Sequence, residues 1–60
     1  MTVKIQLKDQ SQPTEYYDVL NTYVKAGFFC IYVLEEVDET EEKMVYKYPI
    51  QDIWRIKESY

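Results

Sequence analysis

The chain is predicted to be mainly β: a small twisted antiparallel sheet, or a partly open barrel, of about five short strands. Three observations predict this. Residues 2–8 alternate apolar and polar with period two, the signature of a strand with one wet face. Phe28 to Leu34 is an unbroken β-branched and aromatic run, which marks a central strand covered on both faces. Alternation resumes at 44–48 and again at 53–57, each segment bounded by turn-forming residues. Sixty residues make one domain, spanning 1–60, because so short a chain buries only about 60% of the surface it exposes when unfolded.

In the first strand Val3, Ile5 and Leu7 face one way and Lys4, Gln6 and Lys8 the other. Asp9 to Pro13 is a polar turn, closed by a proline that a central strand would not tolerate. Residues 14–26 admit two readings. As a helix, Tyr16, Val19, Leu20, Tyr23 and Val24 fall at i, i+3, i+4, i+7 and i+8, with Thr14 as N-cap and Gly27 just past the end. As a strand, Tyr17, Val19 and Tyr23 alternate with Asp18 and Thr22, and Lys25-Ala26-Gly27 turns the chain into a hairpin with Phe28-Phe29. β-branched and aromatic residues dominate, so the strand is preferred; an α+β fold with a helix at 14–26 is the alternative. Glu35 to Glu42 carries six carboxylates in eight residues and reads as a solvated hairpin loop. Met44, Tyr46 and Tyr48 then share one face, with Lys43, Val45 and Lys47 on the other. Pro49 to Asp52 ends that strand, with room for one helical turn. In the last strand Trp54 and Ile56 lie on one side, Ile53, Arg55 and Lys57 on the other.

Composition removes whole classes of function. The net charge of −4 argues against gripping a phosphate backbone or an anionic membrane. The longest apolar run, Gly27 to Leu34, falls far short of a membrane span. The N-terminal residues lack the apolar core of an export signal, and a lone cysteine fits the cytoplasm. One cysteine and no histidine leave neither an internal disulfide nor the usual zinc ligands. A small domain without such a staple needs a dense core or a partner chain, and open sheet edges invite a second copy, so a homodimer is expected.

The residues that could carry chemistry also have bland readings. Cys30 sits in the most apolar run with no histidine to activate it, so it is filler. Glu35, Glu36, Asp38, Glu39, Glu41 and Glu42 lack the glycine and the ligand spacing of a calcium loop; they keep two strands soluble or form an acidic interaction surface. No metal, cofactor or catalytic role is expected. The seven tyrosines could stack single-stranded nucleic acid, but that needs a basic groove, and the cations are scattered along the sequence. Tyrosine and tryptophan also favour protein interfaces. The candidate interaction residues are therefore the six carboxylates together with Tyr46, Tyr48, Trp54 and Arg55.

The pattern Tyr23-Val24-Lys25-Ala26-Gly27-Phe28-Phe29, an acidic turn, and Tyr46-Lys47-Tyr48-Pro49-Ile50-Gln51-Asp52-Ile53-Trp54-Arg55-Ile56 resembles short accessory proteins encoded by phages and prophages of Gram-positive bacteria. The resemblance runs loosely over residues 15–58 and rests on packing and turn positions, with Pro49, Ile50, Ile53 and Ile56 as the characteristic ending. It implies a protein that binds and inhibits a bacterial host protein, such as a defence enzyme, in the host cytoplasm. It carries over no functional residue. Two other readings remain open: an acidic DNA mimic that blocks a nucleic-acid enzyme, and a virion assembly protein.

Overall fold

The apolar alternation at the N-terminus becomes strand β1, Thr2–Leu7, with Val3 and Ile5 fully buried and Lys4 exposed. The computed structural model describes all 60 residues. β1 is followed by β2 (Thr14–Tyr16), β3 (Val19–Lys25), β4 (Phe28–Val37) and β5 (Thr40–Pro49). A single 3-10 turn at Ile50–Asp52 leads into β6 (Ile53–Ser59). The fold is mainly β, as the patterning predicts. It has six strands in place of five, and they form two antiparallel three-stranded sheets, β2-β1-β6 and β3-β4-β5, not closed into a barrel.

The division into two sheets originates at Tyr17-Asp18. Asp18 adopts φ 55°, a left-handed conformation that aspartate tolerates better than most residues. The kink ends β2 and redirects the chain, so residues before it pair with β1 and residues after it pair with β4. Two backbone bonds hold the kink, from Val19 N–H to the Met1 carbonyl at 2.9 Å and from Leu34 N–H to the Asp18 carbonyl at 3.2 Å. The α+β alternative fails here. The helical stripe would bury Val19, Leu20, Tyr23 and Val24 together, and of these only Val19 is buried.

The core lies between the sheets and consists of Val3, Ile5, Val19, Phe29, Ile31 and Val33, with Met1, Tyr16, Tyr46, Tyr48 and Ile53 packed against it. β4 is central to its sheet, as expected, but covered on both faces only in part. Phe29, Ile31 and Val33 enter the core. On the outer face Cys30 is buried between the strand neighbours Tyr23 and Lys47, whereas Phe28 is exposed because no third layer covers it. The backbone N–H of Ile50 donates to the Gly27 carbonyl at 3.0 Å, and that of Lys8 to the Asp52 carbonyl at 2.9 Å, fixing the 3-10 turn between the sheets.

Two details of register depart from the sequence reading. The acidic stretch is strand rather than loop: β4 and β5 stay paired from Phe28↔Pro49 to Val37↔Thr40, leaving only Asp38-Glu39 as the turn. The pairing of Phe29, Ile31 and Val33 with Tyr48, Tyr46 and Met44 sets the register, and a register once set propagates along both strands. The second departure is a bulge in β6. Gln6 pairs with Arg55 and Leu7 with Ile53, so Trp54 is the extra residue. A bulged residue leaves the ladder and bends its strand, and Trp54 joins Arg55 and Lys57 instead of Ile56.

Candidate functional site

The outer face of the β2-β1-β6 sheet holds an open groove of about 520 Å³. β1 contributes Lys4 and Gln6 to it, and β6 contributes Trp54, Arg55 and Lys57. Ser11 and Pro13, from the loop between β1 and β2, form one wall. The pairings Lys4↔Lys57 and Gln6↔Arg55 set these side chains side by side across the ladder. Three cations line the groove and no carboxylate does. The Arg55 guanidinium stacks over the Trp54 ring, 4.0 Å from its centroid, a favourable cation–π contact. Trp54 is 57% exposed.

Gln6 forms the floor. It is only 7% exposed, and its Nε2 donates to the Gln10 carbonyl at 3.0 Å. The Gln10 side chain in turn accepts from the Leu7 N–H at 3.3 Å, so the 8–13 loop is tied back onto β1. Lys4 pairs with Glu15 at 3.3 Å. The Tyr17 hydroxyl, and after it Lys4, hold the Glu15 carboxyl below the usual carboxylate range, and the same bond raises the Tyr17 phenol.

The other sequence-predicted interaction residues lie elsewhere. Tyr46 and Tyr48 sit on the inner face of β5 and are half-buried against the core. Tyr16 packs on both, with ring centroids 4.9 Å from Tyr46 and 6.4 Å from Tyr48. Its hydroxyl is hydrogen-bonded to that of Tyr48, and Tyr46 donates to Glu35 Oε1 at 2.5 Å. Burial, with the Tyr48 bond second, raises the Tyr16 phenol well above its ordinary value. The Glu35 bond raises that of Tyr46. This cluster seals the seam between β2 and β5. On the opposite seam Thr22 of β3 donates to Glu58 of β6 at 2.8 Å.

Glu35 pairs across the ladder with Glu42, and Glu36 with Glu41. Strand alternation sends the first pair to the inner side and the second to the outer, with Asp38 and Glu39 at the tip. Neither these carboxylates nor any other group of three or more His, Cys, Asp or Glu converges as a metal site would. Cys30 is buried, in keeping with the filler reading.

Sequence reasoning singled out Trp54 and Arg55 but missed Lys4, Gln6 and Lys57. Alternation already puts Lys4 and Gln6 on the wet face of β1, and Arg55 and Lys57 together on β6. The missing signal is that the first and last strands are neighbours. No known protein family, curated protein or solved structure matches this chain, and no helix is long and apolar enough to cross a membrane.

Proposed function

We propose that the chain is a small non-catalytic binding protein that occupies a surface of a bacterial host protein, such as a defence enzyme, in the host cytoplasm. This is the role of the phage-encoded accessory proteins its sequence resembles. One observation carries the reading: the only tryptophan stands exposed in the groove beside Arg55 instead of in the core. Burying a large apolar side chain contributes on the order of 2 kcal/mol. A sixty-residue domain has little stability to forgo. Tryptophan and arginine are also the residue types that dominate binding energy at protein interfaces.

Phosphate mimicry fits less well. A mimic needs its charges in a continuous line, and strand alternation splits the Glu35–Glu42 and Glu36–Glu41 pairs between two faces. Open edges at β2, β6, β3 and β5 support association with a second copy, and the same edges would serve a virion subunit.

The test is capture from a Gram-positive lysate by the wild-type chain and by Trp54→Ala in parallel, with far-UV circular dichroism to establish that both are folded. A stoichiometric partner retained by the wild type and lost by the variant supports the reading. Capture of nothing by the wild type overturns the binding role; equal capture by both overturns Trp54 as its contact.

A further inference from the structure

We propose that the Lys4–Trp54–Arg55–Lys57 groove is a docking site for an extended acidic peptide segment of the partner protein; the inference rests on the binding role proposed above and names the chemistry of what is bound. Charge complementarity is the first argument. Lys4, Arg55 and Lys57 line the groove with no carboxylate among them, and the one neighbouring acid, Glu15, is spent on Lys4 and Tyr17. In a chain of net charge −4, a patch where Arg55 and Lys57 have no carboxylate partner and Lys4 is balanced by Glu15 is the place where an anionic ligand is attracted rather than repelled.

The groove also mixes apolar and polar groups. Trp54 offers apolar surface beside the Arg55 guanidinium stacked on its ring, for a peptide side chain to cover, and Gln6 offers an amide at the floor. Gln6 uses Nε2 on the Gln10 carbonyl, while its Oε1 accepts no hydrogen bond within the chain. An acceptor open to solvent beside cations suits a ligand with both N–H donors and negative charge. A peptide with acidic side chains has both along its whole length, whereas a phosphate backbone has charge without donors. A volume of about 520 Å³ is also that of a compact ligand site.

Trp54 is the only tryptophan, so its fluorescence reports this groove alone. The probe is a decapeptide of alternating glutamate and valine, titrated into the full chain. Parallel titrations use the corresponding lysine–valine peptide and a deoxythymidine decamer. The expected result is a saturable change in Trp54 emission with the glutamate peptide, no saturable change with the lysine peptide, and weaker or no binding of the oligonucleotide. Raising salt from ~0.05 to ~0.5 M should weaken the binding. The double variant R55E/K57E should bind at least about tenfold more weakly, a loss of about 1.4 kcal/mol; both positions are exposed, and circular dichroism verifies the fold. Lys4→Gln serves as a second variant with a smaller loss. Absence of a saturable change, unaltered affinity in R55E/K57E, or tighter binding of the oligonucleotide each overturns the proposal. If the lysate partner is captured equally by wild type and R55E/K57E, the groove assignment fails while the binding role stands. If no partner is captured at all, the binding role itself fails.

Discussion

Asp38 and Glu39 adopt φ 50° and 65° at the tip of the β4–β5 hairpin, as a two-residue type I′ turn requires at both of its central positions. Aspartate tolerates that conformation; glutamate has no such compensation, and a left-handed L-residue costs roughly 1–2 kcal/mol. Glu39→Gly is therefore expected to stabilise the chain by about 1 kcal/mol. The gain should appear as a higher urea midpoint at unchanged slope; an unchanged or lower midpoint refutes it. The other tight hairpin is adapted at its second position, where it has glycine, though not at Ala26. Ala26 and Gly27 lie at φ 52° and 81°, and a Cβ added at Gly27 would meet nothing within 4 Å. Gly27→Ala creates no clash, so its cost is that of the backbone conformation alone, about 1 kcal/mol of lost stability. Together the two substitutions test one quantity with opposite signs, in turns of the same type.

At the scale of the strand pair, Glu36 and Glu41 face each other on the outer side of the hairpin, and like charges directly opposite are destabilising. Glu36→Lys turns the repulsion into attraction and should stabilise by about 0.2–1 kcal/mol. The gain should shrink at high salt, since both residues are exposed. Thermal melts at low and high ionic strength check it, and a salt-independent gain would point to a cause other than charge. The same hairpin shows where sequence patterning loses resolution. Carboxylate content says only that Glu35 to Glu42 stays wet, and a wet segment can be loop or exposed ladder. What decides is the pairing of Phe29, Ile31 and Val33 earlier in the same strand, which carries the register outward. Within single strands the pattern is reliable: Val3 and Ile5 are buried, and Phe29, Ile31 and Val33 form the heart of the core. Parity counting failed at Trp54 because a bulge shifts every later count by one. The groove is illegible in the sequence for a different reason. Lys4 and Lys57 are brought together only by the pairing of the first strand with the last, a long-range contact on which local periodicity is silent.

The molecule as a whole is two sheets whose open seams are closed by side chains rather than by a backbone ladder. Thr22 and Glu58 close one, and Tyr16, Tyr46 and Tyr48 close the other. The tyrosine seam makes stability depend on alkaline pH. Tyr16 is partly buried against Tyr46 and Tyr48, and its phenol is raised above the ordinary value of 10.0. The folded state therefore holds this proton after the unfolded chain has begun to release it. Below about pH 10 both states are protonated and the contribution is intact; as pH rises past 10 the unfolded state is favoured by ionising, and unfolding free energy falls. Tyr46 moves in the same direction through its bond to Glu35, as do Tyr17 and Tyr60 through exposed bonds to Glu15 and Glu58. Bonds to exposed carboxylates are screened by solvent and contribute little. Desolvation is the leading cause of the shift at Tyr16 alone, so Tyr16→Phe should flatten most of the decline above pH 10. Tyr60→Phe removes one phenol from a residue that is 97% exposed and should leave the decline almost unchanged. Because each variant has one ionisable tyrosine fewer than the wild type, the comparison cancels the general repulsion that tyrosinate charge adds to a net charge of −4. Urea titrations of the three proteins at a series of pH values between about 9 and 11.5 measure the slopes. If Tyr16→Phe keeps the full wild-type slope, the seam between β2 and β5 is not what holds the two sheets together in alkali.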